Sequence, residues 1–164
     1  MGAFDPVVTY EKGTYIETDT GNKVSRRAVI SGATNIVLGG KSIIQKGAIM
    51  RGDLRRSAAG EHVVISMGRY CNIGENSIIR PPGKMYRGQF TFYPVKIADF
   101  VHIGKDCLVE AAQIGLGVDI GDGCIIGKFT IIKDLAVIRP GTVLPEGAIV
   151  PSMTVWEGNP GTWD

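Results

Sequence analysis

Three cysteines and two histidines are the only thiols and imidazoles in this chain of 164 residues. Cys71, Cys107 and Cys124 form no Cys-x-x-Cys pair, so no zinc ribbon and no local dithiol motif is written into the sequence. A His-only zinc site needs three ligands, and His62 and His102 are one too few. The carboxylates show no spacing that would complete such a site. Acyl-transfer chemistry of the nucleophile-elbow kind needs Gly-x-Ser-x-Gly, which is absent. A phosphate-cradling glycine loop must open a helix, and no helical pattern follows any of the glycines. Arg51-Gly52-Asp53 spells an adhesion tripeptide, but it continues a regular repeat. The residues therefore call for no catalytic group, no metal and no cofactor.

Charge excludes two further classes. Eighteen Lys and Arg face sixteen Asp and Glu, too even a balance to draw the chain to nucleic acid or an anionic membrane. No apolar run reaches the length of a membrane span, and the N-terminus lacks a signal-peptide pattern. Met1-Gly2 opens a myristoylation motif that Pro6 leaves incomplete. An odd, sparse cysteine count fits a reducing compartment, so a soluble cytoplasmic protein is expected.

The elements that position these residues follow from a six-residue period. An aliphatic residue recurs at Ile97, Ile103, Val109, then after one five-residue step at Ile114, Ile120, Ile126, Ile132, Ile138, Leu144 and Val150. Two earlier stretches repeat the pattern, at Leu38, Ile44 and Met50 and at Met67, Ile73 and Ile79. Glycine often follows (Gly104, Gly115, Gly121, Gly127), which predicts a backbone conformation that a Cβ disfavours. The fifth member is small: Cys71, Ser77, Cys107, Val118, Cys124, Thr130, Ala136, Thr142. A helix would scatter positions six apart around its axis. Three short strands with turns between them close a triangular coil instead, and stacked coils make a parallel β-helix.

The expected architecture is all-β, a single-stranded β-helix domain over residues 1–164 with protruding loops. Ile73, Ile97, Ile103, Ile114, Ile120, Ile126, Ile132 and Ile138 are expected to fill its lumen, and the cysteines its corners. Cys107 and Cys124 fall one coil apart, close enough to bridge, though a reducing compartment opposes it. A lead-in occupies about residues 1–28. Loop insertions cover about residues 55–65, with His62 inside, and about 80–96. The second holds four of the twelve aromatics, and Tyr86, Phe90, Phe92 and Tyr93 are candidate partner contacts. The last coil, Val150 to Val155, exposes unpaired backbone that a neighbour should cover, with Trp156 and Trp163 near that cover.

The hexads resemble the left-handed parallel β-helix superfamily of hexapeptide-repeat acyltransferases and γ-class carbonic anhydrases, and the handedness expected here comes from that likeness. The carbonic anhydrase pattern runs through Arg51-Gly52-Asp53, Cys71-Asn72-Ile73, Asn76-Ser77-Ile78-Ile79 and Ile103-Gly104. Where that family carries zinc histidines, this chain has Arg80, Lys105 and Glu110. Two cations and a carboxylate do not hold Zn²⁺. The acyltransferases usually supply a histidine base, and the 80–96 segment has none.

A closer resemblance is to the dynactin subunit 5 family. It is carried by Tyr15-Ile16-Glu17-Thr18, Gly21 to Arg26, Asn35 to Leu38, Ile49 to Leu54, Ile79-Arg80-Pro81-Pro82, Ala111 to Gly115 and Val143-Leu144-Pro145. Two departures stand out: residues 55–66 are longer than in that family, and the chain stops at Asp164, where the family continues into a C-terminal helix. The resemblance implies a non-catalytic structural and adaptor subunit of the dynactin pointed-end complex, supporting dynein-driven transport and cargo selection. The implied partners are a related β-helical dynactin subunit, other pointed-end subunits near the actin-related filament end, and cargo adaptors, in the cytoplasm and at the cytoskeleton. An enzyme of the γ-carbonic anhydrase or acyltransferase type is the alternative.

Overall fold

A computed structural model describes residues 12–54 and 63–163. Among them, two-residue and three-residue strands stack in parallel, coil upon coil, into three sheets that form the faces of a prism. One coil shows the rule: His102–Ile103 lies on the first face, Leu108–Val109 on the second, and Gln113–Ile114 on the third. Each strand pairs in register with its equivalents above and below, as Ile103 does with Ile73 and Ile120.

The eight lumen isoleucines named above are all buried, none more than 4% exposed. Alternation explains it, because the second residue of each short strand points inward and the first outward. Val95, Met50, Met67, Val109, Leu144 and Val150 complete the same column. Serine, threonine and cysteine at the corners are buried too, and their hydroxyls and thiols donate to backbone carbonyls. Ser77 Oγ bonds Gly104 O at 2.5 Å and Thr142 Oγ1 bonds Arg139 O at 2.6 Å. That satisfies polar atoms which would otherwise be costly to bury.

The glycines after the lumen residue have a different cause from the one expected. Gly121 is not in a left-handed conformation; a Cβ there would meet Pro140 N at 2.6 Å and Pro140 Cδ at 2.7 Å on the next coil. The constraint is close approach between coils. The left-handed turn residue is instead the fourth member of the hexad, such as Asn76, Asp106 and Gly141.

The stack begins within the expected lead-in. Lys23–Ser25 pairs in parallel with Ile43–Ile44, and Val29–Ser31 with Ile49–Arg51. Tyr15–Glu17 runs antiparallel to Lys23–Ser25 and covers that edge. The insertion at 80–96 is not an irregular loop. Gly83–Tyr86 and Gln89–Phe92 form an antiparallel hairpin that leaves the prism at the corner between the second and third faces. The insertion at 55–65, His62 included, lies mostly outside the described residues.

The last described coil is protected in part by its own sequence. In the coil below, Gly127 N and Lys133 N donate upward to Leu144 O and Val150 O. Ile125 N and Ile131 N donate likewise to Thr142 O and Ala148 O, so two of the four equivalent donors on the next coil fall at residues 145 and 151. Both are proline, which has no N–H to offer an incoming strand. On the first face Val155–Gly158 folds back against Gly161–Trp163, stacking Trp156 on Trp163 with ring centroids 6.2 Å apart. Proline thus removes two of the upward donors of this coil and the hairpin covers its first face, while Val143 and Ile149 keep theirs.

Candidate functional site

Outward residues define what the prism can offer a partner, and the three faces differ. Up the first face, paired positions read Lys23, Ile43, Asn72, His102, Asp119, Val137 and Val155. Gln45 Nε2 donates to Asn72 Oδ1 at 2.8 Å, and Asn72 Nδ2 lies 3.1 Å from His102 Nδ1. His102 is thus one rung of a solvated polar ladder. The third face is mixed, polar over its middle rungs and aliphatic at both ends: Val37, Ser66, Lys96, Gln113, Ile131, Ile149.

The second face is aliphatic on every rung. Val29, Ile49, Ile78, Leu108, Ile125 and Val143 stack directly over one another, five rises of about 4.8 Å, or roughly 24 Å of apolar stripe. Val29 is 51% exposed and Ile125 45%, and the four others are half-buried. The lumen is already filled by their inward neighbours, so this stripe adds nothing to the core. A contiguous exposed apolar strip marks an interaction surface.

The positions that replace zinc histidines separate into two places. Arg80 and Glu110 follow successive strands of the second face and form an ion pair, Arg80 Nε to Glu110 Oε2 at 3.0 Å, with Glu110 buried. Lys105 sits one corner away and is exposed; its backbone N–H donates to Asp122 Oδ1 at 2.8 Å. Of the three, only the carboxylate has lone pairs to give a metal, since a guanidinium and an ammonium have none. Among the described residues no three His, Cys, Asp or Glu side chains converge on a point. Nor is any helix there long and apolar enough to cross a membrane.

The hairpin brings aromatics to one edge of the aliphatic face. Lys84 Nζ lies 4.9 Å from the Phe129 ring and 5.2 Å from the Tyr93 ring, and these two rings meet edge to face at 5.5 Å. Tyr93 therefore anchors the hairpin to the prism. Phe92 is half-buried, packed edge to face on Phe90. Tyr86, Phe90 and Met85 remain exposed. Trp156 packs against its own terminal coil.

One row escaped the sequence reading. At the corner between the third and first faces, the left-handed turn positions are Lys41, Tyr70, Phe100, Gly117, Leu135 and Met153. The first-to-second corner fills the same positions with Gly47, Asn76, Asp106, Gly123 and Gly141, residues that tolerate positive φ. Bulky side chains there cost roughly 1–2 kcal/mol each. Tyr70 and Phe100 stack face to face at 5.1 Å in the open, with Arg69 against Tyr70 at 5.9 Å, and Leu135 and Met153 continue the ridge. The available signal was a large apolar fourth member at four of the six turns of this corner. Arg51-Gly52-Asp53 is closed on itself by a two-pronged ion pair at 2.9 and 3.0 Å. Asp53 is held below the usual carboxylate range by its hydrogen bond to Arg51.

A three-faced stack of hexads with a filled lumen is the architecture of hexapeptide-repeat β-helix proteins of the left-handed type. A hexapeptide transferase family protein from Anaplasma phagocytophilum superposes with a TM-score of 0.62 over 88% of this chain and 78% of its own, at 24% identity. An N-acyltransferase from Bacillus cereus, in complex with a dTDP-linked amino sugar and coenzyme A, gives 0.66 over 87% and 78% at 15% identity. At these identities the likeness is one of fold. The chain belongs to the dynactin subunit 5 family, whose model matches residues 6–164. A dynactin subunit 5 from Dictyostelium discoideum is 42% identical over 106 residues, covering 65% of this chain. The match spans half the length of that relative.

Proposed function

We propose that the chain is a non-catalytic structural subunit of dynactin and that the aliphatic second face is its principal assembly surface. Six aliphatic rungs in register, on a face the core does not need, are the observation that carries this reading. Family membership supplies the complex. The Arg80–Glu110 pair supports a scaffold role, because it occupies with an ion pair the positions where carbonic anhydrases of this fold family carry histidines. The hairpin residues Tyr86, Phe90 and Phe92 border the same face and extend the surface. Tyr93, half-buried against Phe129, fixes the hairpin at that edge, and Trp156, on the first face, lies apart from it. The partner we assign to the face is the related β-helical dynactin subunit. Other pointed-end subunits, cargo adaptors, dynein-driven transport and a cytoplasmic, cytoskeleton-associated location follow from that placement.

Ile125→Glu tests the assignment. A carboxylate in mid-stripe should be harmless to a solvated position yet costly to desolvate in an interface. The expected result is loss of co-purification with dynactin by at least about tenfold, an unfavourable change of about 1.4 kcal/mol, with an unchanged thermal midpoint. Co-purification at the level of the unmutated chain would overturn the assignment.

A further inference from the structure

Cys107 and Cys124 are neighbours on successive coils. Each immediately precedes a strand of the second face, and those strands pair Leu108 with Ile125, with Leu108 N donating to Cys124 O at 3.0 Å. Adjacent in-register positions of parallel strands stand about 4.8 Å apart, inside the Cα separation a disulfide spans. Both are free thiols, and both are buried. They occupy one corner ladder with Ser77 below and Thr142 above.

The two thiols are not equivalent. Cys124 Sγ donates to Arg139 O at 3.1 Å, and Cys107 Sγ to Gly121 O at 3.2 Å. Pairing with Cys124 favours the Cys107 thiolate and brings it down to about 7. Cys124 is pushed up by the same pairing and by burial. Cys71, on the neighbouring corner, has no thiol partner, and burial raises it. The turn over the pair is Gly123, where nothing lies within 4 Å of the position a Cβ would take.

We propose that Cys107 and Cys124 form an oxidisable dithiol, which a hydroperoxide converts to a disulfide joining two successive coils beneath the aliphatic face. The Cys107 thiolate attacks the peroxide oxygen; the O–O bond breaks, leaving a sulfenic acid and, after one proton, water. The Cys124 sulfur then displaces that hydroxyl as a second water and gives up its own proton, forming the S–S bond. Overall, two thiols and one hydrogen peroxide give one disulfide and two waters.

The test is to treat the full folded chain with hydrogen peroxide, quench with an alkylating agent, and measure intact mass and disulfide-linked peptides. The expected product has lost two hydrogens, links Cys107 to Cys124, leaves Cys71 alkylated, and is reversed by dithiothreitol. Bridging in the folded chain should be at least about tenfold faster than in denaturant. Cys107→Ser should abolish the reaction, and Cys124→Ser should let Cys107 run on to the sulfinic acid. The corner already accepts hydroxyls at Ser77 and Thr142, so both variants should fold. A bridge that involves Cys71, a bridge that forms only in denaturant, or over-oxidation of Cys107 with Cys124 present would overturn the proposal.

Discussion

At the scale of single residues, shape complementarity inside a narrow lumen sets the tolerances. Ile120 is fully buried between Ile103 and Ile138. Ile120→Val is expected to lower unfolding free energy by about 0.5–1.5 kcal/mol and Ile120→Ala by about 2–5 kcal/mol in denaturant melts, while Ile120→Asp should give insoluble protein. A soluble, cooperatively melting Ile120→Asp would contradict the lumen assignment. Asp53 gives a pH prediction. Its folded value is depressed by Arg51, so its contribution is present at neutral pH and is lost as pH falls through that lowered value. An NMR titration should place its midpoint below that of an ordinary aspartate, and Arg51→Ala should return it there. Much of this was legible in sequence, because an inward aliphatic is demanded on every strand and leaves a six-residue trace. The reason for Gly121 was not, since close approach to Pro140 depends on which residue lies one coil above.

At the scale of elements, the corners and the hairpin decide what the solenoid shows to solvent. Met153 holds a left-handed turn at φ 59° while 74% exposed, so it has strain and little burial to offset it. Met153→Asn is therefore expected to raise stability by up to about 1 kcal/mol, read as a higher thermal midpoint. A lower midpoint would mean that contacts, not chance of sequence, hold that side chain. The ridge from Tyr70 to Met153 was hidden because its members lie 18 to 35 residues apart, and a six-residue scan averages three corners into one. The hairpin was hidden for another reason. Its turn is Arg87-Gly88, both at positive φ, where a strongly turn-forming pair such as Asn-Gly would have announced it. At the far end, Pro145 and Pro151 follow the lumen residues Leu144 and Val150, where the coil below carries Gly127 and Lys133. Only the donor pattern of the coil below shows them to be edge protection.

For the whole molecule, stacking turns sequence period into surface. A residue type that recurs every third hexad becomes a vertical stripe on one face, and the aliphatic stripe from Val29 to Val143 arises this way. The family was legible from non-repeat segments such as Tyr15 to Arg26, which the hexad rule does not dictate. The face was not legible, because the five-residue step before Ile114 and the two insertions shift the count between rungs. The absence of zinc histidines could be read directly, but the pairing of Arg80 with Glu110 needed the coils in place. Hydroxyl-radical footprinting of Ile78, Leu108 and Ile125, free and within assembled dynactin, tests the central claim most directly. The stripe is expected to be labelled in the free chain and protected several-fold in the complex, while His102 and Asp119 on the first face change little. Equal labelling of the stripe in both states would contradict it.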